Sequence, residues 1–227
     1  MTVLIAYRFE NGVFMVADKK QSNLSFGGDH VGTYTLGEKI TSLHPSMLMG
    51  TAGVGLGNHI RGLMTFILNT QEDLNNQEAM NDISGTIRQI YNMYKKVNPH
   101  IAFDDFVTLI GGYDVENNRA FLYKLTNLNG FKYTGLNEQI IIESPSEEIT
   151  DIIGEYIAQN MIGLKNIHEL VPVCAAAIRS IDHPSVSKET FAIFKFYDGE
   201  TGNFLDATYE YDKNGIEIED KNPVTPQ

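Results

Sequence analysis

The sequence predicts an α+β protein, a four-layer αββα sandwich in which two β-sheets lie between two layers of helices. The hydrophobic pattern has the period of a strand, changes to that of a helix, and repeats this change once before it returns to strands. The helices come in consecutive pairs, unlike the strict alternation of strand and helix in a parallel-sheet protein. With 227 residues, 42% of them hydrophobic, the chain is long enough for one sizeable core.

The first elements are predicted strands. TVLIAYR and VFMVAD are rich in β-branched and apolar residues, and FENG separates them. Asn11 and Gly12 in this separator can adopt the positive φ angles of a tight turn, so the chain opens with a predicted β-hairpin. Further strand-like segments follow at residues 30–35, 39–43 and 47–51.

Two pairs of amphipathic helices are predicted after these strands. Apolar residues recur at helical spacing in the first pair, at 60, 63, 64, 67 and 68 and then at 83, 87, 90, 91 and 94. Two strands, FVTLIGGYD and RAFLYKL, separate this pair from a second pair around residues 149–157 and 167–178. The chain returns to strands in TFAIFKFYD and FLDATYEY. We expect residues 1–210 to form a single domain and residues 211–227 a C-terminal strand or loose acidic tail.

Composition narrows the classes of partner. The chain carries 17 Lys and Arg residues against 29 Asp and Glu residues, a formal net charge of −12. This charge repels nucleic-acid backbones and anionic lipid surfaces, so neither nucleic acid nor a membrane is a predicted partner. The N-terminal segment lacks the pattern of a signal peptide, and no segment approaches about 18 consecutive apolar residues. The sequence therefore predicts a cytoplasmic protein.

No cluster of residues predicts a metal ion or a cofactor. The six histidines are scattered without the spacing of metal ligands. The single cysteine, Cys174, lies in the apolar run VPVCAAAI, which favours a buried thiol over a nucleophile. No G-x-S-x-G motif is present, so the usual serine, cysteine and metal hydrolase patterns are missing.

The segment TAGVGLGN needs a separate test, because it lies where a strand gives way to a helix, as dinucleotide-binding loops do. A full G-x-G-x-x-G motif would need glycine at position 58, which is Asn58, so nucleotide binding is disfavoured. The glycines Gly53, Gly55 and Gly57 then permit a tight turn and close packing. Alternatively, peptide N–H groups at this helix start hold a developing oxyanion.

An ordered set of motifs resembles a known family. The motifs lie in TVLIAYRFENGVFMVADKKQS, GEKITSLHPSMLMGTAGVGLGNHIRGL and FVTLIGGYDVENNRAFLYKL. Together these segments resemble the proteasome β-subunit family and its bacterial relative HslV, which are N-terminal nucleophile (Ntn) hydrolases. The resemblance is strong over residues 2–125 and weaker over residues 140–210. It implies a proteasome-like form of the αββα fold, and it leaves open the choice among β-subunit, HslV-like and Anbu-like branches.

The resemblance implies a set of catalytic residues. Thr2 matches the family's N-terminal threonine nucleophile once the initiator methionine is removed. The other positions that match the catalytic pattern are Asp18, Lys39, Gly53, Asp182, Ser185 and Ser144. Lys39 and Gly53 lie a few residues late, which we attribute to an insertion in the loop NLSFGGDHVG. Pro145 and Val186 depart from the family, in which glycine is usual at both positions.

The same resemblance implies substrate-binding positions and partners. The substrate-binding positions are Gln21, Ser22, Thr51 and Gly55. The small residues at positions 51 and 55 predict room for a bulky apolar side chain of the substrate. The implied partners are a peptide or unfolded-protein substrate, further copies of the chain in a homo-oligomeric ring of at least six subunits, and, as an option, an ATPase unfoldase.

General chemistry explains why these residue types belong together. A threonine hydroxyl is a poor nucleophile, but an adjacent free α-amine with a pKa of about 7.7–8.0 can accept its proton. An ammonium on Lys39 would disfavour protonation of that amine, while Asp18 would keep Lys39 charged and oriented. The N–H of Gly53 would bind the oxyanion, and Asp182 with Ser185 would hold the amine and a water molecule.

Each residue also has an ordinary interpretation. Taken alone, Thr2 is a β-branched strand residue, and Asp18 with Lys39 is a common ion pair. Asp182 and Ser185 suit a turn after a helix. Three hypotheses therefore stand: a threonine endopeptidase in a self-compartmentalising homo-oligomer, an Ntn amidase acting on a small amide or peptide, and a non-catalytic proteasome-like scaffold.

Overall fold

A computed structural model gives the structure of residues 2–24, 30–53, 56–68, 76–97, 99, 106–135 and 137–218. Within these ranges the chain forms twelve β-strands, four α-helices and two short 3₁₀ turns. The strands are β1 Leu4–Phe9, β2 Gly12–Asp18, β3 Lys20–Leu24, β4 His30–Leu36, β5 Ile40–His44, β6 Met47–Ala52, β7 Val107–Asp114, β8 Arg119–Thr126, β9 Thr134–Gly135, β10 Ile140–Glu143, β11 Thr190–Asp198 and β12 Asn203–Tyr211. The helices are α1 Gly57–Leu68, α2 Asn76–Val97, α3 Glu147–Asn160 and α4 Leu170–Ser180.

The strands form three antiparallel sheets. The first has five strands in the order β10-β1-β2-β11-β12, and the second pairs β3 with β4. The third has five strands in the order β5-β6-β7-β8-β9. In the first sheet, β1 and β2 are adjacent central strands, so the start of β1 and the end of β2 lie side by side, with Leu4 paired to Ala17.

The predicted N-terminal hairpin is present. Strands β1 and β2 pair from Leu4 opposite Ala17 to Phe9 opposite Gly12. A Cβ on Gly12 would lie 2.3 Å from the carbonyl oxygen of Lys195 in β11, so the close approach of the neighbouring strand requires glycine at this position.

Buried apolar side chains form three clusters. One joins β1, β2 and β11 to helices α3 and α4 and includes Phe14 and Ile178. Another joins β5–β8 to helices α1 and α2 and includes Met49 and Ile60. The third draws its members from both five-stranded sheets, such as Leu4. Strand β1 therefore packs on both faces, which fixes the position of the residues at its start.

Local sequence explains where the helices next to the site lie. Helix α1 buries Ile60, Met64 and Leu68 along one face, at the spacing of an amphipathic helix. Helix α3 begins after Ser146, whose hydroxyl accepts a hydrogen bond from the backbone N–H of Ile149, and two glutamates occupy its first turn.

The predicted four-layer αββα sandwich is wrong as a description of this chain. The described residues are mostly antiparallel β-structure divided among three sheets, with four helices. The sequence pattern does not predict β3, because KQSNL lacks the apolar alternation of a half-buried strand. More generally, the order of strands and helices along a chain does not say which strands pair with which.

Beyond β12 the chain folds back on itself. The backbone N–H of Ile218 donates to the carbonyl oxygen of Glu210 at 2.7 Å, and Tyr211 forms a bridge with Glu217. The segment GIEIE thus contacts the last strand, whereas residues 219–227 lie outside the described part of the chain. The division into a domain of residues 1–210 and a tail of residues 211–227 stays a prediction.

Three further observations concern the classes of site and partner considered from the sequence. Cys174 is fully buried, and burial raises the pKa of its thiol to about 12, so the prediction of a buried, unreactive thiol is confirmed. Within the described ranges, no three His, Cys, Asp or Glu side chains are grouped as metal ligands. No helix there is long and apolar enough to cross a bilayer.

Candidate active site

Thr2 lies just before β1 and is buried, with 6% of its surface exposed. It lines a cavity of about 260 Å³. The other residues that line this cavity come from the end of β6, from β7 and β8, and from the segment after β10; they include Ala52, Gly53, Lys124, Thr126, Glu143 and Ser144. The cavity thus brings together Thr2 with two other sequence-predicted site residues, Gly53 and Ser144.

Asp18, the last residue of β2, is fully buried beside the start of β1. Its Oδ1 atom accepts hydrogen bonds from the backbone N–H of Val3 at 2.8 Å and from Nζ of Lys39 at 2.9 Å. Its Oδ2 atom accepts from the backbone N–H groups of Lys20 at 3.1 Å and Ser187 at 3.3 Å. Four donors fix the orientation of this carboxylate and tie it to the residue that follows Thr2.

Lys39 immediately precedes β5 and is also buried. Its carbonyl oxygen accepts a hydrogen bond from the backbone N–H of Thr51 at 3.0 Å, which anchors it to β6. Burial lowers the pKa of Lys39 below the ordinary lysine value, although the adjacent Asp18 carboxylate opposes this shift. The nearby charges of Arg61 and Lys20 lower the pKa of Lys39 further.

Gly53 forms a bend directly after β6 and has a φ of 115°. Residues other than glycine rarely adopt this backbone conformation, so glycine is the residue that permits the bend here. The bend lies on the wall of the Thr2 cavity. Its peptide N–H is therefore a candidate for holding an oxyanion that forms next to the Thr2 hydroxyl.

Ser144 lies after β10 on the same cavity wall, but its hydroxyl already has local partners. It donates to the carbonyl oxygen of Ser146 at 2.6 Å and lies 2.9 Å from Oγ1 of Thr150 in α3. The structure thus places Ser144 near Thr2 while its hydroxyl supports the turn into α3.

The structure does not bring Asp182 into the Thr2 cavity. Asp182 is exposed and lines a separate cavity of about 380 Å³ between the start of α3 and the end of α4. The Ser185 hydroxyl lies 2.7 Å from Nδ1 of His183, its neighbour in the same turn. Two residues later, Ser187 makes the contact to Asp18 that joins this turn to the site.

The predicted substrate-binding positions are only partly described. Gly55 lies outside the described residues, and nothing is described of the Ser22 side chain. Gln21 exchanges hydrogen bonds with Asn58, at 3.2 Å and 2.9 Å. Thr51 is buried, and its hydroxyl accepts a hydrogen bond from the guanidinium of Arg61. This surrounding is polar and cationic, contrary to the predicted room for a bulky apolar side chain.

Sequence reasoning missed several residues of this region. Arg61 occupies a core-facing position of α1, in the same row as Gly57, Met64 and Leu68. An arginine at such a position is a recognisable signal, because arginine is seldom buried without a polar partner. The ion pair of Lys124 with Glu143, at 2.5 Å on the Thr2 cavity wall, joins β8 to β10, and no sequence pattern predicts it.

Comparison with known proteins identifies similar solved structures only. No protein-family model matches the chain, and no curated protein sequence matches it. It is similar to Anbu (ancestral beta-subunit) from Yersinia bercovieri at 14% identity and a TM-score of 0.62, covering 85% of this chain and 80% of that chain. It is similar to the helical assembly of the Anbu complex from Pseudomonas aeruginosa at 11% identity and a TM-score of 0.70, covering 96% of this chain and 88% of that chain. It is also similar to an Anbu mutant from Hyphomicrobium sp. strain MC1 at 12% identity and a TM-score of 0.64, covering 97% of this chain and 90% of that chain.

These similarities correct the family suggested by the sequence motifs. The resemblance to proteasome β-subunits and HslV as Ntn hydrolases is wrong, because the similar solved structures are Anbu proteins, a distinct proteasome-like family. The fold of the chain is Anbu-like. The sequence motifs had left the choice among the proteasome-like branches open.

Proposed function

We propose that this chain hydrolyses peptide bonds with the hydroxyl of Thr2 as nucleophile and the free α-amine of Thr2 as base. One observation carries the proposal. Thr2 shares a cavity with Gly53, and the next peptide N–H, that of Val3, is held by the carboxylate that pairs with buried Lys39. A nucleophile, a candidate oxyanion donor and a buried cation thus lie together at the start of β1.

In the first half of the reaction, the Thr2 oxygen attacks the carbonyl carbon of the substrate, and the hydroxyl proton passes to the α-amine. The Gly53 N–H stabilises the resulting oxyanion. The C–N bond then breaks, and the departing amine takes the proton from the Thr2 ammonium. The product of this half is an ester between the substrate acyl group and Thr2.

In the second half, a water molecule attacks the ester carbon and gives a proton to the Thr2 amine. The C–O bond to Thr2 breaks, its oxygen regains the proton, and the carboxylic acid product leaves. The charge of Lys39 favours the neutral, basic form of the amine through repulsion, and Asp18 holds that charge in place.

We propose that the active form is an assembly of several copies of the chain. Anbu from Pseudomonas aeruginosa forms a helical assembly, and helices α1 and α2 of this chain expose apolar side chains that an interface would cover. The exposed side chains are those of Leu63, Phe66, Met93 and Val97. Large apolar side chains exposed on these helices are candidates for contacts between copies.

Turnover of fluorogenic peptides by wild type and Thr2→Ala tests the hydrolase. We expect no turnover by Thr2→Ala, because alanine supplies the amine without the hydroxyl. Thr2→Ser keeps both groups and retains part of the activity. Thr134→Ala, which removes an exposed threonine from β9, is the matched control and keeps full activity. Equal turnover by wild type and Thr2→Ala would overturn the proposal.

A further inference from the structure

The guanidinium of Arg61 is buried beside the site and has only neutral acceptors. Arg61 is 7% exposed. It donates to the Thr51 hydroxyl, to the carbonyl oxygen of Glu38 at 2.5 Å and to the amide oxygen of Asn58. Among the described residues, no carboxylate oxygen lies within 4 Å of its nitrogens. Burial lowers the pKa of Arg61 to about 10, although the charge of Glu38 opposes this shift.

This cation belongs to a positively charged group. The charges of Arg61 and Lys20 both act on buried Lys39 and lower its pKa. Asp18 is the carboxylate paired with Lys39, and the charge of Glu38 also acts on Arg61. An anionic group that approached Arg61 would be attracted by a guanidinium whose hydrogen-bond acceptors are all neutral.

Two paired amides lie beside the guanidinium, and one of them, that of Asn58, contacts it. The side chains of Gln21 and Asn58 are hydrogen-bonded to each other through both oxygen and nitrogen. Asn58 is exposed and Gln21 is partly exposed, so both amides can rotate without disturbing the core. The oxygen of Asn58 lies on the guanidinium where an oxygen of a carboxylate would lie. The amide nitrogens would then become further donors to the same anion.

The position of Arg61 relative to Thr2 follows from the end of β6. Thr51, the hydrogen-bond partner of Arg61, is followed by Ala52 and Gly53, and both of these line the Thr2 cavity. Gly53 therefore lies two residues from the threonine that Arg61 contacts, and this is the spatial link between Arg61 and the Thr2 cavity.

We infer that Arg61, with the amides of Gln21 and Asn58, forms an anion-binding subsite beside Thr2, and that the preferred substrates carry Asp or Glu on the acyl side of the cleaved bond. The inference rests on the proposed hydrolase for the identity of the cleaved bond. A carboxylate pairs with a guanidinium through two parallel hydrogen bonds, and it supplies the charge that the three neutral acceptors lack.

The test compares matched peptides that differ only in Glu or Gln before the cleaved bond. These side chains have the same size, so a difference in kcat/KM reports charge. We expect wild type to favour Glu by about tenfold, the order of magnitude of one charge-assisted hydrogen bond. Arg61→Met removes this preference. Arg88→Met is the control, because Arg88 lies on the neighbouring helix α2 and its side chain donates to the exposed carbonyl oxygen of Gly130. It keeps the preference.

A second variant separates loss of the subsite from loss of the fold. Asn58→Asp places a carboxylate directly on the Arg61 guanidinium, and an acidic residue in the first turn of α1 suits the helix dipole. This variant folds but loses the preference for Glu, because its own carboxylate neutralises the cation. Retention of the preference in both Arg61→Met and Asn58→Asp would overturn the inference.

Binding to Thr2→Ala separates this inference from the proposed function. The probes are fluorescent peptides with Glu or Gln at the tested position and an amidated C-terminus, measured by anisotropy. Tighter binding of the Glu peptide, lost when Arg61→Met is added, supports the subsite even if the wild type hydrolyses nothing. Hydrolysis of both peptides at equal rates by wild type would leave the hydrolase standing and would overturn the subsite.

Discussion

The ammonium nitrogen of Lys39 lies 2.9 Å from Oδ1 of Asp18, and the same oxygen accepts the N–H of the residue after Thr2. This contact links strand β1, the end of β2 and the start of β5 at one point. Both side chains are buried, so folding removes two charges from water, which costs free energy. Such a pair tolerates the loss of one member poorly.

We therefore expect Asp18→Asn to destabilise the protein strongly. The change keeps the size of the side chain but leaves Lys39 as an unpaired buried cation, at a cost of about 3–5 kcal/mol in the free energy of unfolding. Urea unfolding measures this cost. Asp151→Asn is the control, because Asp151 is an exposed residue of α3; its loss should cost less than about 1 kcal/mol. Equal costs would contradict this account of the buried pair.

The pH dependence of peptide hydrolysis should be bell-shaped. Activity rises as the Thr2 amine loses its proton, with an ordinary pKa of about 7.7–8.0. It falls at higher pH as Lys39 loses its charge, and burial places this second pKa below the ordinary lysine value. In Lys39→Ala the rate drops by orders of magnitude and the descending limb moves. A wild-type profile that stays flat up to the ordinary lysine pKa would argue against a charged Lys39 in the reaction.

Gly57→Ala should disturb the contact between Arg61 and Thr51. A Cβ at position 57 would lie 2.4 Å from Oγ1 of Thr51 and 3.1 Å from Nη1 of Arg61. We expect a loss of about 1–3 kcal/mol, as for overpacking. Gly62→Ala in the same helix meets no atom within 4 Å, so it should stabilise the helix by up to about 1 kcal/mol. Thermal unfolding of both variants checks this; similar effects would show that the packing around Gly57 is not tight.

Phe66→Glu should weaken the proposed assembly. Phe66 is 74% exposed on α1, so the change costs the isolated chain little, whereas a covered interface would gain an unpaired charge. Native mass spectrometry at several concentrations reports the number of subunits. Ile162→Glu, at an apolar position after α3 that is 83% exposed, should leave that number unchanged. A monomeric wild type, or an intact oligomer in Phe66→Glu, would contradict the prediction.

The sequence predicted local features better than their arrangement. Asn11 and Gly12 marked the first hairpin because turn chemistry is local, and the helical periodicity located α1 through α4 for the same reason. The division of the strands into three sheets depends on pairing between distant residues, as in Ala192 of β11 opposite Val16 of β2, and no local pattern encodes it.

The candidate site was predictable in part for a related reason. Asp18 and Lys39, chosen from motifs, lie together, because both are fixed by the strands that flank Thr2. The motifs also predict Asp182 as a site residue, but Asp182 lines another cavity. A motif in a turn does not specify the direction in which each of its side chains points. Arg61 was not predicted, although an arginine in the otherwise apolar row of α1 is a recognisable signal. Its roles, like those of the other site residues, stay proposals.

Intact-mass analysis after treatment with a covalent, threonine-directed peptide inhibitor tests the central claim most directly. The claim requires that Thr2 supply both hydroxyl and free amine, so only molecules that begin at Thr2 can react. We predict one inhibitor mass on every molecule that begins at Thr2, with the label mapped to Thr2, and none on molecules that retain Met1. Inhibitor mass on molecules with Met1, or a complete lack of label on molecules that begin at Thr2, would contradict the account.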